Sequence, residues 1–167
     1  MKSIKAVSAI VGLVCMVGAS AAGAATPPNP KDLTQGVWEL QLDKSKFNCG
    51  TPPKKSHREI FEAGWGLISV HWTGFDDKGK PMDIRYVYNY NGDKYPEGIP
   101  GPANESITYK LVNPSRVDFW HWDKKDKMTQ DLSRVISSDG QTMTQTTKYL
   151  SWKGGKECID TQIFARQ

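Results

Sequence analysis

The side chains that carry most protein chemistry are few in this chain and widely spaced. His57, His71 and His121 are its only histidines. None stands in an HxH or HxxxH pair that would set two imidazoles on one metal. Should His71 and His121 both face the interior, they would share a site, and one would serve as a general base. Asp76-Asp77-Lys78-Gly79 lacks the D-x-[DN]-x-[DN]-G spacing of a calcium loop and reads as a solvated hairpin. Asp118, Asp123, Asp126 and Asp131 form no acid–base pair by spacing. No G-x-S-x-G, phosphate-binding glycine loop, HExxH or CxxC motif occurs. The sequence therefore calls for no metal and no cofactor, and it offers no motif from which to build a catalytic site.

Aromatic side chains at alternating positions are the more informative feature. Tyr86, Tyr88 and Tyr90 follow Ile84 at every second residue, Trp120 and Trp122 repeat the spacing, and Trp72 stands in a third stretch. Such stripes either fill the core of a sheet or wall a cavity with apolar faces and polar tips. Arg85 and Arg134 are the residues to anchor an acidic head group, if either points inward. The candidate ligand-binding set is thus Trp72, Tyr86, Tyr88, Trp120, Trp122, Arg85, Arg134, His71 and His121. The implied partner is a small hydrophobic or amphipathic molecule. An outward-facing tryptophan pair would instead suit a sugar ring, a protein partner or a membrane interface.

Composition narrows the class. The chain has 167 residues with 22 Lys+Arg against 18 Asp+Glu, a net charge of +4. The charges are mixed along the chain, which disfavours a nucleic-acid binder. Aromatics at 10% and charged residues at 24% exclude collagen-like, coiled-coil and disordered classes. Residues 1–25 read as a secretory signal peptide: Lys2 and Lys5, an apolar run from Ala6 to Val17, then Ala22-Gly23-Ala24 as the cleavage pattern. The run is short for a stable membrane span. Its removal takes two lysines and no acid, leaving a charge of +2. The expected location is periplasmic or secreted. Only Cys49 and Cys158 then remain, and an exported chain with two cysteines pairs them. The alternative reading is two free thiols.

These residues sit on elements whose period is two. After an extended, proline-containing lead-in over 26–35, a domain is expected over 36–167. Trp38, Leu40 and Leu42 mark the first strand, and a helical turn fits near Asp43–Phe47. Further strands are predicted over 58–63, 67–73, 83–89, 107–112, 116–122, 129–136, 142–152 and 157–165, joined by Gly-, Pro- and Asp-rich turns. The proline- and glycine-rich segment 95–104 reads as a loop with the character of a lid. No amphipathic helix of useful length occurs. Short links between consecutive strands require antiparallel neighbours. The fold class is all-β: an up-and-down meander of about eight to ten strands. A bond between Cys49 and Cys158 would bring the first and last strands together and close it into a barrel.

Gly36-Val37-Trp38-Glu39-Leu40 opens the first strand as G-x-W, and Arg166 stands at the end of the last. This resembles the calycin arrangement of lipocalins and fatty-acid-binding proteins, in which the tryptophan packs against a basic residue to close one end of the barrel. The resemblance implies that Trp38 and Arg166 do so here. Asp43-Lys44-Ser45-Lys46-Phe47, Asn91-Gly92-Asp93-Lys94-Tyr95-Pro96 and Arg134-Val135-Ile136-Ser137-Ser138-Asp139-Gly140-Gln141-Thr142-Met143-Thr144 also resemble segments of exported bacterial lipocalin-like proteins. The chain lacks the helix pair of fatty-acid-binding proteins and the later signature segments of true lipocalins. The resemblance implies a ligand-binding barrel of the cell envelope; the other reading is a packed structural or interaction module.

Overall fold

The computed structural model describes residues 31–96, 98, 105–151 and 155–167. The expected signal peptide, the start of the lead-in, most of the 95–104 loop and the turn after Ser151 lie outside them. Ten strands form one sheet: β1 (Gly36–Leu40), β2 (Lys55–Gly64), β3 (Leu67–Phe75), β4 (Pro81–Tyr88), β5 (Tyr95–Pro96), β6 (Ser106–Asn113), β7 (Arg116–Trp122), β8 (Met128–Ile136), β9 (Thr142–Tyr149) and β10 (Cys158–Arg166). Their order is β4-β3-β2-β1-β10-β9-β8-β7-β6-β5, and every pairing is antiparallel. The all-β, up-and-down expectation holds. First and last strands meet in register, Trp38 opposite Arg166. The barrel is nearly closed: β4 and β5 share no ladder, and a seam runs between them.

The strands arise where the alternation predicts them, with instructive shifts. β2 starts at Lys55, earlier than the expected 58, because Lys55 and Ser56 pair with Phe75 and Gly74 of β3. β1 ends at Leu40, and a 3-10 turn over Leu42–Lys44 follows. Tyr95–Pro96, read as loop, pairs with Ile107 and Ser106. The lead-in is turned at its end: Gln35 N–H donates to the Asp32 carbonyl at 3.3 Å. Among the described residues no helix is long and apolar enough to cross a membrane.

The apolar core lies inside the barrel. Trp38, Ile60, Val70, Tyr88, Tyr109, Val117, Phe119, Met143 and Phe164 lie at its centre. Tyr88, Tyr109 and Phe119 form a stack with ring centroids 3.5 and 5.0 Å apart. Arg166 packs at one end of this core. Its guanidinium lies 4.2 Å over the Trp38 ring and donates to the carbonyls of Gly140, Gln35 and Leu33 at 2.6, 2.9 and 2.8 Å. Trp38 Nε1 donates to the Thr34 carbonyl at 2.8 Å. Gly36, at φ +138, leaves the space: a Cβ there would collide with Arg166 Nη1. A planar guanidinium can stack on indole and donate to several carbonyls at once.

Candidate functional site

Part of the barrel interior is hollow. A cavity of about 270 Å³ lies among Arg58 and Trp72 of β2 and β3, Ile84 and Tyr86 of β4, Phe119 and His121 of β7, Leu132 and Arg134 of β8, Gln145 of β9 and Gln162 of β10. Strand alternation puts these residues inside. Each shares parity with a core residue on its own strand, as Arg58 does with Ile60 and Tyr86 with Tyr88. The cavity mixes an apolar wall with convergent polar groups, the usual make-up of a small-molecule site.

Two arginines dominate it. Arg58 and Arg134 are only 4% and 1% exposed, and no carboxylate among the described residues is hydrogen-bonded to either. Both donate to one acceptor, Gln145 Oε1: Arg58 Nη1 at 2.5 Å and Arg134 Nε at 3.1 Å. Gln145 Nε2 continues to Gln162 Oε1 at 3.4 Å. Arg58 lies between aromatic faces, 4.8 Å from the Trp72 centroid and 4.7 Å from that of Phe164. Arg134 lies 4.6 Å over Phe119 and donates Nη2 to Tyr86 Oη at 3.4 Å. Cation–π contacts replace part of the lost hydration. Arg58 Nε and Arg134 Nη1 are buried and have no acceptor among the described residues.

The electrostatics follow from this crowding. Burial first, then repulsion from Arg134, lowers the Arg58 guanidinium to about 10. Burial also works against the Arg134 charge, but Tyr86 and Tyr109 outweigh it and hold Arg134 protonated. For Tyr86, burial opposes ionisation, yet Arg134 and Arg58 together keep its hydroxyl below the ordinary value. The cavity is thus a pocket of positive potential inside an apolar wall.

The structure divides the predicted residues. Trp72, Tyr86, His121 and Arg134 line the cavity. Tyr88 lies below it, fully buried in the core stack. His71, Arg85, Trp120 and Trp122 do not line it. His71 lies outside, Nε2 2.9 Å from Asp83 and Nδ1 3.6 Å from Glu59. Arg85, opposite it, donates to Asp83 at 3.3 Å. Trp122 donates to Thr108 Oγ1 at 3.1 Å and carries Lys94 4.1 Å over its ring. The reason is parity: Trp72, Tyr86 and His121 occupy the inner face, so their chain neighbours face outward. His71 therefore does not share the cavity with His121.

Arg58, Gln145 and Gln162 were missed from sequence. Their signal was parity with apolar residues: Arg58 with Ile60, Gln145 with Met143, Gln162 with Phe164. Polar residues on the apolar face of a strand were the clue.

The disulfide Cys49–Cys158 is present, its Cα atoms 5.7 Å apart. It ties the connection between β1 and β2 to the start of β10. Asp160 supports it, accepting the N–H groups of Asn48 and Cys49 at 2.7 and 2.9 Å. Lys46 adds a bridge to Thr161.

No protein-family model matches the chain, and no curated protein matches it. Solved structures do. Fatty-acid-binding protein 1 of Echinococcus granulosus matches with a TM-score of 0.57 and 15% identity, covering 80% of this chain and 97% of that one. Apocrustacyanin C2 matches with a TM-score of 0.44 and 13% identity over 81% of this chain and 62% of the other. Lobster apocrustacyanin A1 gives 0.42 and 16% over 81% and 61%. The chain spans about three fifths of the length of these two crustacyanins. The fold is that of a fatty-acid-binding-protein-like calycin, with ten antiparallel strands in a nearly closed barrel.

Proposed function

We propose that this chain is an exported, lipocalin-like binding protein of the cell envelope, and that its ligand is a compact amphipathic anion held inside the barrel. One observation carries the reading: Arg58 and Arg134 are buried side by side in a cavity, share a neutral acceptor, and keep Nε and Nη1 without a partner among the described residues. A pair of like charges in an apolar interior is costly unless an anion completes it. A carboxylate accepts bidentate hydrogen bonds from such donors, while Trp72, Ile84, Phe119 and Leu132 face its apolar part. At about 270 Å³ the cavity stands near the small end of ligand sites, which run from about 300 to 1,000 Å³. Export is supported by the leader pattern of residues 1–25 and by a disulfide that needs an oxidising compartment. Of the remaining predicted residues, Trp72, Tyr86 and His121 are assigned to the wall and Trp38 with Arg166 to closure.

The test is equilibrium dialysis of labelled octanoate and octylamine against the purified protein. Saturable binding of the anion, absent for the amine and lost in Arg134→Met, is the expected result. Equal binding of both probes, or of neither, would overturn the proposal and favour a structural module.

A further inference from the structure

The outer face of the barrel carries a second polar array, on the far side of the wall from the cavity. β2 presents His57 and Glu59 two residues apart on one face. The register sets Glu39 of β1 opposite His57, and His71 of β3 opposite Glu59. Asp83 of β4 lies diagonally beyond His71, whose direct partner is Arg85. Acid and imidazole therefore alternate across four strands. His57 Nδ1 is 3.0 Å from Glu39 Oε2, and His57 Nε2 is 3.5 Å from Glu59 Oε1. His71 Nδ1 is 3.6 Å from Glu59 Oε2, and His71 Nε2 is 2.9 Å from Asp83 Oδ1. The His57 and His71 side chains are 26% and 29% exposed, so an ion in solution can reach them.

The two outer contacts are hydrogen bonds, and they fix the tautomers. An ionised carboxylate only accepts, so His57 Nδ1 and His71 Nε2 carry the hydrogens. On neutral imidazoles the other two nitrogens, His57 Nε2 and His71 Nδ1, then present lone pairs, and both face the Glu59 carboxylate. Three electron-pair donors converge there with no hydrogen between them. Lys55 and Arg85 pair with the flanking carboxylates, Glu39 and Asp83, at 3.5 and 3.3 Å. Among the described residues no lysine or arginine is paired with Glu59. Three carboxylates thus face two fixed cations, and the missing positive charge belongs between the imidazoles. An imidazole whose other nitrogen donates to a carboxylate is oriented and made more basic as a metal ligand; here both are.

We infer that His57 Nε2, the Glu59 carboxylate and His71 Nδ1 are the ligands of a divalent transition-metal ion of the zinc class, with Glu39 and Asp83 orienting the two imidazoles. Bonds of about 2.0–2.2 Å in a tetrahedral site separate the ligand atoms by about 3.3–3.5 Å, close to the two contacts with Glu59. As the side chains stand they are open about the carboxylate. Among the described residues only Cys49, Cys158 and Asp160 bring three such atoms within 4.8 Å of one another, and those sulfurs are spent in the disulfide. Rotation of the two imidazoles about their side-chain torsions closes the set on Glu59 without moving a strand. Two nitrogens and one carboxylate suit zinc-like ions, whereas magnesium and calcium take oxygen ligands. Solvent fills the fourth position. The sequence shows only His-x-Glu; the third ligand comes from the next strand, and the ion would clamp β2 to β3.

The experiment is equilibrium dialysis of zinc chloride, and separately of magnesium chloride, against the purified protein carrying no histidine tag. One zinc ion per chain should bind saturably, with magnesium at least about a hundredfold weaker. His71→Gln and Glu59→Gln each remove a ligand and should weaken zinc by more than about a hundredfold. Two independent ligands guard against a folding defect particular to one variant. Glu39→Gln keeps all three ligands and should weaken zinc by about 10–100-fold. Asp77→Asn, an exposed acid on the β3–β4 turn, should leave zinc affinity unchanged. Zinc should also raise the melting temperature of the wild type and not that of His71→Gln, because only the folded chain assembles the ligands. Absence of saturable zinc binding would overturn the site and leave the array to protons. Equal binding of magnesium, or zinc affinity untouched by both ligand variants, would overturn it as well. Unchanged affinity in Glu39→Gln would overturn the orienting role.

Discussion

Arg58 and Arg134, on strands from opposite sides of the barrel, donate to the same oxygen, Gln145 Oε1, at 2.5 and 3.1 Å. A neutral amide oxygen thus stands where the chemistry favours an anion. Replacing it with a carboxylate supplies that anion from within. Gln145→Glu should raise the melting temperature, by the equivalent of about 1–3 kcal/mol for charge-assisted hydrogen bonds. It should also abolish octanoate binding, because the internal carboxylate occupies the arginine donors. Thermal denaturation and dialysis on the same sample check both effects. A variant that keeps its affinity would show that ligands bind away from the pair.

Arg58 is the more strained of the two charges. Its folded value is lowered to about 10, below the unfolded one. Its charge therefore costs folding free energy at every pH below about 10, and that cost fades as the pH rises through this value. Arg58→Met removes the charge and keeps much of the volume. It should stabilise the unliganded protein by about 1–4 kcal/mol while losing the anion. In the wild type, octanoate affinity should hold through neutral pH and fall as the pH passes about 10. It should also fall below about pH 5, where the ligand's own carboxylate takes up a proton. Urea denaturation and a pH series of binding constants read these outcomes.

The bond between Cys49 and Cys158 spans a sequence separation of 109. Cys49→Ser with Cys158→Ser should cost about 2–5 kcal/mol in urea denaturation. Asp160 holds the same connection by two backbone N–H groups. The doubly substituted protein should therefore retain its far-ultraviolet strand signal under native conditions. Complete loss of that signal would mean that the bond is needed to form the barrel at all.

At the end where Arg166 stacks on Trp38, a Cβ at Gly36 would lie 2.3 Å from Arg166 Nη1, so the guanidinium must shift. Gly36→Ala should displace the guanidinium from Trp38 and cost about 1–3 kcal/mol. Arg166→Lys should be nearly as damaging, since one ammonium cannot reach three carbonyls while stacking on indole. A red shift in tryptophan emission would report the opened end. Neither change should alter octanoate affinity relative to the folded fraction, because the core stack separates this end from the cavity.

His71 and Arg85 lie on the outer face, paired with Asp83. Alanine at both positions should leave octanoate binding within about twofold of wild type and stability within about 1 kcal/mol. Arg134→Met in parallel should lose binding. A large effect from the outer pair would contradict the assignment of strand faces.

Period-two patterning and short turns were enough, without any coordinates, to define an antiparallel meander, because apolar alternation and turn chemistry are local properties of the chain. The pairing of the two cysteines was legible for a related reason: few residues and one expected compartment left little choice. Strand faces were legible only in part. Ile84, Tyr86 and Tyr88 were grouped correctly, but parity along one strand does not say which parity is inside. Arg85 and Arg134 were equal candidates in the sequence, and the register of β4 and β8 separated them. Arg58 became a site residue only through tertiary structure, which set it between Trp72 and Phe164 and gave it the same acceptor as Arg134. A charge is recognised as buried only when the elements that exclude water from it are in place, and those elements are far apart in the chain.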